Sequence, residues 1–537
     1  MNNAELIARL LEEAGVRWVF GIPSGPVLPL IEALHHSRVR FVLTASETSA
    51  GFMAQTVGSL TGVPGVCVAT LGPGATNLAT GVGAAWLDRS PLVAITCNVP
   101  APWLKRRVQM RIDHNALFRP LTKATFALDA GHVATIMERA VVLARAEPPG
   151  PVHLDLPEDV ALDEAVEAAG RVDEPPPLAD LSDHVVQVIA AALGRSRRPL
   201  VLTGLTFTRC GSGRRLLSFI ETHKIPFVST LHAKGFLPES HPYWAGVIGR
   251  ACRSEVERFT RRADLIIAIG YDPVEINYEE WVGTTPVIHV STEAADGGAG
   301  ISMLYNRACD LDRAIEKMGA IVPAPNEWSS EEIGEHREAL ERSLRPDGRG
   351  PAGAGGLAPH RLLDLLRRRL SPDAILTYDV GAHTHQIATQ WRTDFPRTCL
   401  ATNGWSSMGY GIPAAYAAKL VYPRKPVVAV VGDGCFQMTV GELALARRLA
   451  LAVPVIVLND GWLTLMKIKQ ERKGYGLSGV YLGVPADSPP HYFGVPCRAA
   501  RDERGMEEAI DWALNLEGPS VIEALVDVEP YSDTVLD

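Results

Sequence analysis

Two short motifs with carboxylate and amide side chains follow apolar runs in the last third of the chain. A Gly-Asp-Gly motif at 432–434 follows the run 427–431, and an Asn-Asp-Gly motif at 459–461 follows the run 455–458. Such runs are typical of strands buried in a parallel sheet, whose carboxyl ends form a ligand crevice. Carboxylate and amide oxygens suit Mg²⁺ or Ca²⁺ better than zinc. We therefore expect Asp433 and Asn459 to meet at one rim of a sheet and to bind a hard metal ion.

Two protein side chains do not complete the octahedral shell that Mg²⁺ requires. Such an ion therefore needs further oxygens from backbone, water and a phosphorylated ligand. Gly432 and Gly434 would let the backbone approach phosphate groups closely, and Gly461 could turn its carbonyl toward the ion. The alternative is an ordinary strand-to-helix turn in which Asp433 caps the helix. The motif alone does not decide between these two interpretations.

Three further features that follow apolar runs are candidates for a functional site, and the first of them could serve a phosphorylated ligand. An Asp-Val-Gly motif at 379–381 follows the run 374–378 and precedes His383, whose imidazole could donate to the same phosphates. Glu47 lies between the run 40–43 and a predicted helix over 48–60, and a Gly-rich turn at 72–77 follows the run 65–69. Each also has a plainer interpretation: a buried structural histidine, an acid that complements a helix dipole, and an ordinary turn.

The composition is that of a globular protein with several cores. The 537 residues are 47% hydrophobic and 21% charged, which excludes a single small module, a disordered chain and a fibrous repeat. A net charge of −9 argues against a nucleic-acid partner. The eight cysteines include no CxxC pair, which favours reduced thiols over disulfides or zinc. Because no apolar run is long enough for a membrane span and residues 1–13 lack the bases of a signal peptide, we expect no membrane partner and a cytoplasmic location.

Short apolar runs alternate with helix-length segments along nearly the whole chain, which predicts an α/β fold with three doubly wound parallel-sheet domains. We expect an N-terminal domain at 1–170, a central domain at 182–322, a linker at 323–357 and a C-terminal domain at 358–537. A Pro-rich cluster within 172–181 separates the first two domains. The predicted strands are 16–20, 40–43, 65–69, 92–96 and 152–156 in the first domain, 199–203, 226–229, 265–269 and 287–290 in the second, and 374–378, 427–431, 455–458 and 521–526 in the third.

Taken together, these motifs resemble the thiamine-diphosphate-dependent acetolactate synthase family, and the resemblance spans nearly the whole chain. The segment Gly-Tyr-Asp-Pro-Val-Glu at 270–275 looks most like the catabolic, flavin-independent branch. The resemblance implies a pyrimidine-binding first domain, a central domain and a diphosphate-binding third domain. The segments that carry it, in the family's order, are 21–23, Glu47 with 50–54, 72–77, 118–123, 379–381, Met408 with Gly409, and 432–434 with Asn459.

The resemblance also implies the cofactors, thiamine diphosphate and Mg²⁺, bound between the first domain of one subunit and the third domain of another. A homodimer is then obligatory, and a homotetramer is expected. Glu47 would be the catalytic residue and hydrogen-bond the aminopyrimidine of the cofactor, while Met408 would hold the cofactor in its bent form. Mg²⁺ would be bound by Asp433, Asn459 and the Gly461 carbonyl, and further cofactor contacts would come from Gly381, His383, Gly432 and Gly434. FAD is not expected, because the central domain shows no dinucleotide signature.

The substrate side departs from the family's pattern. Gln109 and Met110 stand where the family has a His-Gln pair, and Ser24-Gly25-Pro26 replaces a turn that carries a lysine in the catabolic branch. Lys469 stands where the anabolic enzymes have an active-site tryptophan, unless it is simply an exposed helix lysine. Leu465 replaces a glutamate of the simple pyruvate decarboxylases. The substrate-pocket candidates are therefore Ser24, Gly25, Gln109, Met110, Leu465 and Lys469.

The expected activity is decarboxylation of a 2-oxo acid, with pyruvate as the donor, followed by carboligation to a second carbonyl. Pyruvate as the acceptor would give acetolactate. The alternative is a thiamine-diphosphate-dependent lyase, carboligase or decarboxylase that acts on another 2-oxo acid, an aldehyde or a hydroxyketone. A flavin-dependent oxidase and a non-catalytic binding protein are two further classes, and the presence of Glu47, Asp433 and Asn459 together argues against the second.

Overall fold

The computed structural model describes residues 1–166, 176–298, 300–345, 356–483, 487–527 and 529–531. Within these ranges three sheets follow one another along the chain, and helices connect their strands. This architecture confirms the predicted α/β fold. Residues 172–175 and 346–355, which belong to the two predicted connections between domains, lie outside the described residues, and the domain boundaries stay a prediction. None of the described helices combines the length and apolar character that a membrane crossing requires.

The first sheet has six parallel strands in the order β2-β1-β3-β4-β6-β5. β3, β4 and β6 are buried along their whole length, which explains their continuous apolar sequences. Its strands are β1 (Trp18–Gly21), β2 (Arg40–Leu43), β3 (Gly65–Ala69), β4 (Leu92–Asn98), β5 (Ala124–Ala127) and β6 (Pro151–Pro157), and its helices are α1 (Asn3–Glu13), α2 (Leu28–His35), α3 (Glu47–Thr61), α4 (Pro73–Leu87), α5 (His114–Phe118), α6 (Val133–Arg145) and α7 (Glu158–Leu162).

The second sheet has six parallel strands in the order β12-β11-β10-β7-β8-β9. The segment 323–357, predicted as a linker, contains helix α12, whose Ile333, Leu340 and Leu344 pack in the core of this sheet. The strands are β7 (Pro199–Thr203), β8 (Phe227–Ser229), β9 (Trp244–Val247), β10 (Leu265–Ile269), β11 (Val287–Ser291) and β12 (Met303–Ala308), and the helices are α8 (Asp183–Arg195), α9 (Gly213–His223), α10 (Ser254–Thr260), α11 (Leu311–Met318) and α12 (Ser330–Leu344).

The third sheet has the order β14-β13-β15-β16-β19-β18-β17, and all its pairs are parallel except β17 with β18. Its strands are β13 (Ile375–Tyr378), β14 (Cys399–Leu400), β15 (Val427–Gly432), β16 (Pro454–Asn459), β17 (His491–Tyr492), β18 (Val495–Ala500) and β19 (Ser520–Leu525). Its helices are α13 (Pro359–Arg369), α14 (Ala382–Gln390), α15 (Gly411–Val421), α16 (Asp433–Thr439), α17 (Leu443–Arg448), α18 (Thr464–Arg472) and α19 (Glu503–Leu514). Short 3-10 helices cover Gly25–Val27, Ala101–Trp103, Arg119–Leu121, Leu205–Arg209, Tyr278–Glu280, Val440–Glu442 and Glu529–Tyr531.

The first and third sheets share one hydrophobic core, in which α3 and α4 of the first pack with α15 of the third. Gly51 and Gly81 let α3 and α4 approach closely, since a Cβ on Gly51 would lie 2.7 Å from the Cα of Gly81. Asp88, which follows α4, accepts hydrogen bonds from the Thr402 hydroxyl at 2.7 Å and from the Gly404 N–H at 2.8 Å. These contacts hold the two outer sheets of one chain against each other.

Candidate cofactor site

The carboxyl ends of β13 and β15, with helix α18 after β16, border a cavity of about 250 Å³. The described residues that line it all lie between positions 380 and 531. Seven of the predicted site residues are among them: Gly381, His383, Met408, Gly432, Asp433, Gly434 and Leu465. The motifs of the last third therefore do converge at one rim of the third sheet, as the strand pattern predicts.

Asp433 begins α16 directly after β15 and is buried. Its carboxylate accepts the backbone N–H of Gly461 at 2.8 Å and that of Gly434 at 2.8 Å. The bond to Gly461 ties the end of β15 to the turn that follows β16. Burial raises the pKa of the Asp433 carboxyl, while the backbone N–H groups oppose that rise. A cation beside this carboxylate would offset the cost of burying its charge.

Asn459, the last residue of β16, carries a buried Oδ1 that accepts no hydrogen bond from any residue the structure describes. It borders a second cavity of about 20 Å³ and does not line the larger one. Gly461 has a φ of 75°, and its carbonyl already accepts the N–H of Leu482 at 2.7 Å and of Gly483 at 3.1 Å. Asn459 therefore offers an open acceptor, whereas the Gly461 carbonyl is engaged within the chain.

His383 lies between two of the predicted glycines. A Cβ on Gly381 would be 2.9 Å from its Cε1, and a Cβ on Gly432 would be 3.2 Å from the same atom. Burial, and then the neighbouring His385, lower the pKa of His383 to about 4, so the ring is neutral. Its buried Nε2 has no partner within the described ranges. The neutral ring carries one proton, so it can donate to a phosphate oxygen from Nε2 only in the tautomer that leaves Nδ1 unprotonated, whereas the N–H groups at the N-terminus of α14 alongside donate in either case.

Asp379 positions the turn that carries Met408. Its buried carboxylate accepts the backbone N–H of Gly409 at 2.9 Å and of Gly411 at 3.0 Å. Gly409 has a φ of 93°, which a residue with a side chain rarely adopts. The Met408 Cε then approaches Gly434, where a Cβ would be 3.3 Å from it. The structure thus gives Asp379 a positioning role that the sequence argument missed.

Sequence reasoning missed 11 of the 18 described residues that line the cavity. Asp460 is also titratable: burial, and then Asp433, raise its pKa to about 7. Five of the missed residues belong to the segment 460–466 after β16, where a helical pattern with apolar positions was the available signal. Nothing in the sequence singled out Tyr531. The missed lining residues are Val380, Ala382, Ser406, Cys435, Leu458, Asp460, Trp462, Leu463, Thr464, Met466 and Tyr531.

Glu47 and the Gly-rich turn meet in the first domain, away from that cavity. Glu47 is the first residue of α3, where Ser46 caps the helix, and it is buried. Its Oε2 accepts the Asn77 side-chain N–H at 3.2 Å, and a Cβ on Gly74 would lie 3.2 Å from its Oε1. The acid and the turn therefore form a second cluster on the first sheet.

Four of the substrate-pocket candidates lie in the first domain and two lie in the third. The Met110 carbonyl lies over Gly72, where a Cβ would be 2.3 Å from it, and Gln109 is exposed beside it. Ser24 has a buried Oγ that makes no hydrogen bond to a described residue, and Gly25 faces open space. In the third domain Leu465 lines the cavity, and Lys469 follows one helical turn later on α18, half-buried.

The comparisons with known proteins agree with this arrangement. Family models match residues 1–117, 186–318 and 379–524, and they describe the N-terminal binding domain, the central domain and the C-terminal binding domain of thiamine pyrophosphate (thiamine diphosphate) enzymes. A probable acetolactate synthase large subunit of Methanocaldococcus jannaschii is 30% identical over 98% of this chain and 92% of its own length. The acetolactate synthase isozyme 1 large subunit of Escherichia coli is 28% identical over 98% of this chain and 94% of its own length. The acetolactate synthase large subunit of Corynebacterium glutamicum is 33% identical over 87% of this chain and 76% of its own length. The chain therefore belongs to the acetolactate synthase family of thiamine pyrophosphate enzymes.

Proposed function

We propose that this protein is an acetolactate synthase-like enzyme that uses thiamine diphosphate and Mg²⁺. It decarboxylates a 2-oxo acid, with pyruvate as the donor, and joins the remaining acyl carbon to a second carbonyl. The observation that carries this proposal is the set of buried polar atoms at the carboxyl ends of β15 and β16. A buried carboxylate, an unpartnered amide oxygen and an unpartnered imidazole nitrogen lie there among described residues, beside two glycines.

These residues fit a magnesium diphosphate. In the part of the chain that the structure describes, no three His, Cys, Asp or Glu side chains are grouped so as to hold a metal on their own. An ion here would be bound by Asp433 and Asn459 and would take further oxygens from phosphate, which matches the habit of Mg²⁺. His383 would donate to the phosphate from Nε2 in the tautomer that carries the ring proton there. Gly461 remains the proposed third ligand, although its carbonyl would have to share or release the two N–H groups it accepts.

When bound, the cofactor would supply a carbanion stabiliser and an electron sink. Glu47 would hold a proton at the pyrimidine nitrogen, and its burial against Asn77 would keep the carboxylate in one orientation. Met408 would fix the bend of the cofactor, because the Asp379 bonds hold its turn in place. The apolar wall formed by Trp462 and Leu465 would exclude water from the reacting carbon.

We propose that a complete site combines Glu47 of one chain with the Asp433 cavity of a second chain. Two observations support a homodimer of this kind. The first is that the described lining of the cavity contains no residue of the first domain. The second is that both clusters expose large apolar side chains: Met438 and Met466 near the cavity are 62% and 41% exposed, and Leu43 and Met110 near Glu47 are 40% and 42% exposed. A homotetramer built from such dimers remains an expectation.

We also propose that the central domain holds no flavin. Its ligand crevice would lie where the sheet order reverses, between β7 and β10. The chain's own backbone bridges that place, since the Phe207 N–H donates to the Gly270 carbonyl at 3.0 Å. The Glu275 carboxylate accepts the Leu205 N–H at 2.7 Å, at the helix start where a phosphate would otherwise bind. Colourless purified protein with full activity is the expected result, and a stoichiometric flavin would contradict it.

The test of the proposed function is product analysis. Purified protein is incubated with thiamine diphosphate, Mg²⁺ and pyruvate, with and without an added aldehyde, and the products are identified by mass spectrometry. Acetolactate from pyruvate alone is the expected result. A hydroxyketone formed only with the aldehyde would favour the alternative carboligase. No consumption of pyruvate would mean that Met110 and the Ser24-Gly25-Pro26 turn have rebuilt the donor pocket for another 2-oxo acid.

A further inference from the structure

Glu442 belongs to the third domain but contacts the start of the helix that carries Glu47. Its Oε1 accepts the backbone N–H of Ala45 at 3.0 Å and of Ser46 at 3.2 Å, and its Oε2 accepts the Ala45 N–H at 3.1 Å. Ala45 and Ser46 are the two residues that precede Glu47. The carboxylate of one domain therefore fixes the backbone from which the proposed catalytic acid of another domain projects.

This contact is buried, so water would not replace its hydrogen bonds if Glu442 were removed. Glu442 is 1% exposed, and burial raises the pKa of its carboxyl although the bonds from Ala45, Ser49 and Ser46 oppose that rise. Hydrogen bonds between a carboxylate and backbone N–H groups are short and directional. The bonds orient two successive peptide groups, and the direction of the Glu47 side chain depends on them.

Glu442 also lies on the helical segment that begins at the proposed metal site. α16 starts at Asp433, and the 3-10 helix Val440–Glu442 continues it without a break. The segment spans roughly 15 Å at the usual rise per residue. Asp433 at one end serves the cavity of its own chain, whereas Glu442 at the other end contacts the Glu47 cluster. One segment therefore contacts both the Asp433 cavity and the Glu47 cluster, which are separate from each other within one chain.

We propose that Glu442 is a positioning residue for Glu47: it sets the start of α3 so that the Glu47 carboxylate points correctly into a site completed by the partner chain. This inference rests on the proposed function. It differs from a merely structural contact between domains, for which Arg448 is the matched control. The Arg448 guanidinium donates to the Leu43 carbonyl at 2.8 Å, across the same junction, and no hydrogen bond among the described residues joins it to residues 45–47. Its charge is the weakest of the groups that hold the pKa of Glu442 down, after the bonds from Ala45, Ser49 and Ser46.

The first test uses the ligand-free protein. Hydrogen exchange is measured by mass spectrometry on peptides that cover 44–52 and 433–440 in the wild type, Glu442→Gln, Glu442→Ala and Arg448→Met. Faster exchange at 44–52 in both Glu442 variants, with 433–440 unchanged, is expected. Exchange at 44–52 that equals the wild type in Glu442→Ala, or that rises equally in Arg448→Met, would overturn the proposal. Glu442→Gln keeps one acceptor oxygen and tests the contact should Glu442→Ala not fold.

The second test measures whether Glu442 affects the rate of catalysis rather than the binding of the 2-oxo acid. In the holoenzyme, Glu442→Ala is expected to lower kcat about tenfold while KM for the 2-oxo acid changes little, and Arg448→Met is expected to leave both unchanged. Glu442→Gln should recover part of kcat. An equal fall of kcat in Arg448→Met would reduce Glu442 to an ordinary contact between domains.

Mixed dimers of differently tagged subunits then give a readout that a structural role would not produce. Glu442→Ala paired with Asp433→Ala leaves one complete site with an intact Glu47 and an intact Asp433, so about half of the wild-type activity is expected. Glu442→Ala paired with Glu47→Gln leaves no such site, and about half of the residual activity of the Glu442→Ala homodimer is expected. The reverse pattern would show that Glu442 acts on the cavity of its own chain and would overturn the proposal.

A control separates this inference from the proposed function. Glu47→Gln paired with Asp433→Ala should itself give about half of the wild-type activity if sites form between chains. Failure of this control alone would refute the shared site but leave the hydrogen-exchange test of Glu442 valid. Success of the control with the reverse pattern in the other pairs would refute only the role of Glu442.

Discussion

Asp433→Asn is the substitution whose effect the structure defines most closely. The carboxylate accepts N–H groups of Gly461 and Gly434, each at 2.8 Å, and it is the one charged ligand proposed for Mg²⁺. In asparagine, one oxygen becomes an NH₂ group that faces an N–H donor and cannot bind a cation. Loss of a charge-assisted contact of this kind amounts to about 3 kcal/mol, or roughly a hundredfold in affinity. We expect Mg²⁺ and thiamine diphosphate to bind about a hundredfold more weakly, and to weaken together.

The ligand-free protein should respond in a different way. Because burial already raises the pKa of the Asp433 carboxyl, a neutral amide relieves the cost of the buried charge while it loses one hydrogen bond. The free energy of unfolding should therefore change by only about 1 kcal/mol. Isothermal titration calorimetry measures the affinities, and urea unfolding measures the stability.

The matched control is Asp460→Asn, one residue after Asn459 in the same cavity wall. The Asp460 carboxylate accepts the Trp462 N–H at 2.8 Å and has no proposed bond to the metal. We expect its variant to lose much less cofactor affinity than Asp433→Asn. Equal losses in the two variants, or unchanged affinity in Asp433→Asn, would refute the metal site as assigned.

Three further predictions concern other parts of the molecule. Burial lowers the pKa of His232, but a hydrogen bond to Glu275 and two nearby carboxylates raise it to about 9. The protonated ring therefore stabilises the folded protein fully below pH 6.5, and this stabilisation is lost as the pH rises toward 9. Urea unfolding should show about 3 kcal/mol of this pH dependence in the wild type and little in His232→Gln; equal curves would contradict it. Gly72→Ala should lower the free energy of unfolding by about 3 kcal/mol or more, because its Cβ would lie 2.3 Å from the Met110 carbonyl oxygen. Gly62 also has a positive φ but lies in open space, so Gly62→Ala should lower it by only about 1 kcal/mol. Thermal unfolding of the two variants measures the difference. Similar costs would refute the packing of that turn. Lys469→Gln should raise KM for the 2-oxo acid with little change in kcat; an unchanged KM would mark Lys469 as an exposed helix lysine.

Every strand that the sequence did not predict lies at or next to a sheet edge, although one edge strand, β2, was predicted with its exact bounds. β5 and β12 lie at sheet edges and are only partly buried, and β18 lies next to an edge and is largely exposed, so none shows the continuous apolar run of a strand buried on both faces. β14 and β17 contain two residues each, too few to show any period. Helix α3 was predicted within one residue at each end, and the structure shows a local signal at both limits, since Ser46 caps its start and Gly62 follows its end.

For the site, motifs that follow strands in order were predictable and contacts between distant segments were not. The strand pattern placed Asp433 and the turn after β16 together, because parallel strands end at a common rim. It could not reveal that Tyr531 closes the same cavity, or that Glu442 bonds to residues 45–46 nearly 400 positions earlier. Such contacts depend on how finished domains pack, for which a single sequence carries no local signal. The occupied carbonyl of Gly461 likewise depends on the distant residues 482–483.

The most direct test of the central claim is the rate of hydrogen exchange at C2 of bound thiamine diphosphate, measured by rapid quench and proton magnetic resonance in wild type and Glu47→Gln. We expect fast exchange in the wild type and exchange at the rate of the free cofactor in Glu47→Gln, with cofactor affinity largely retained. Fast exchange in Glu47→Gln with the cofactor bound would contradict the role of Glu47 and, with it, the proposed site.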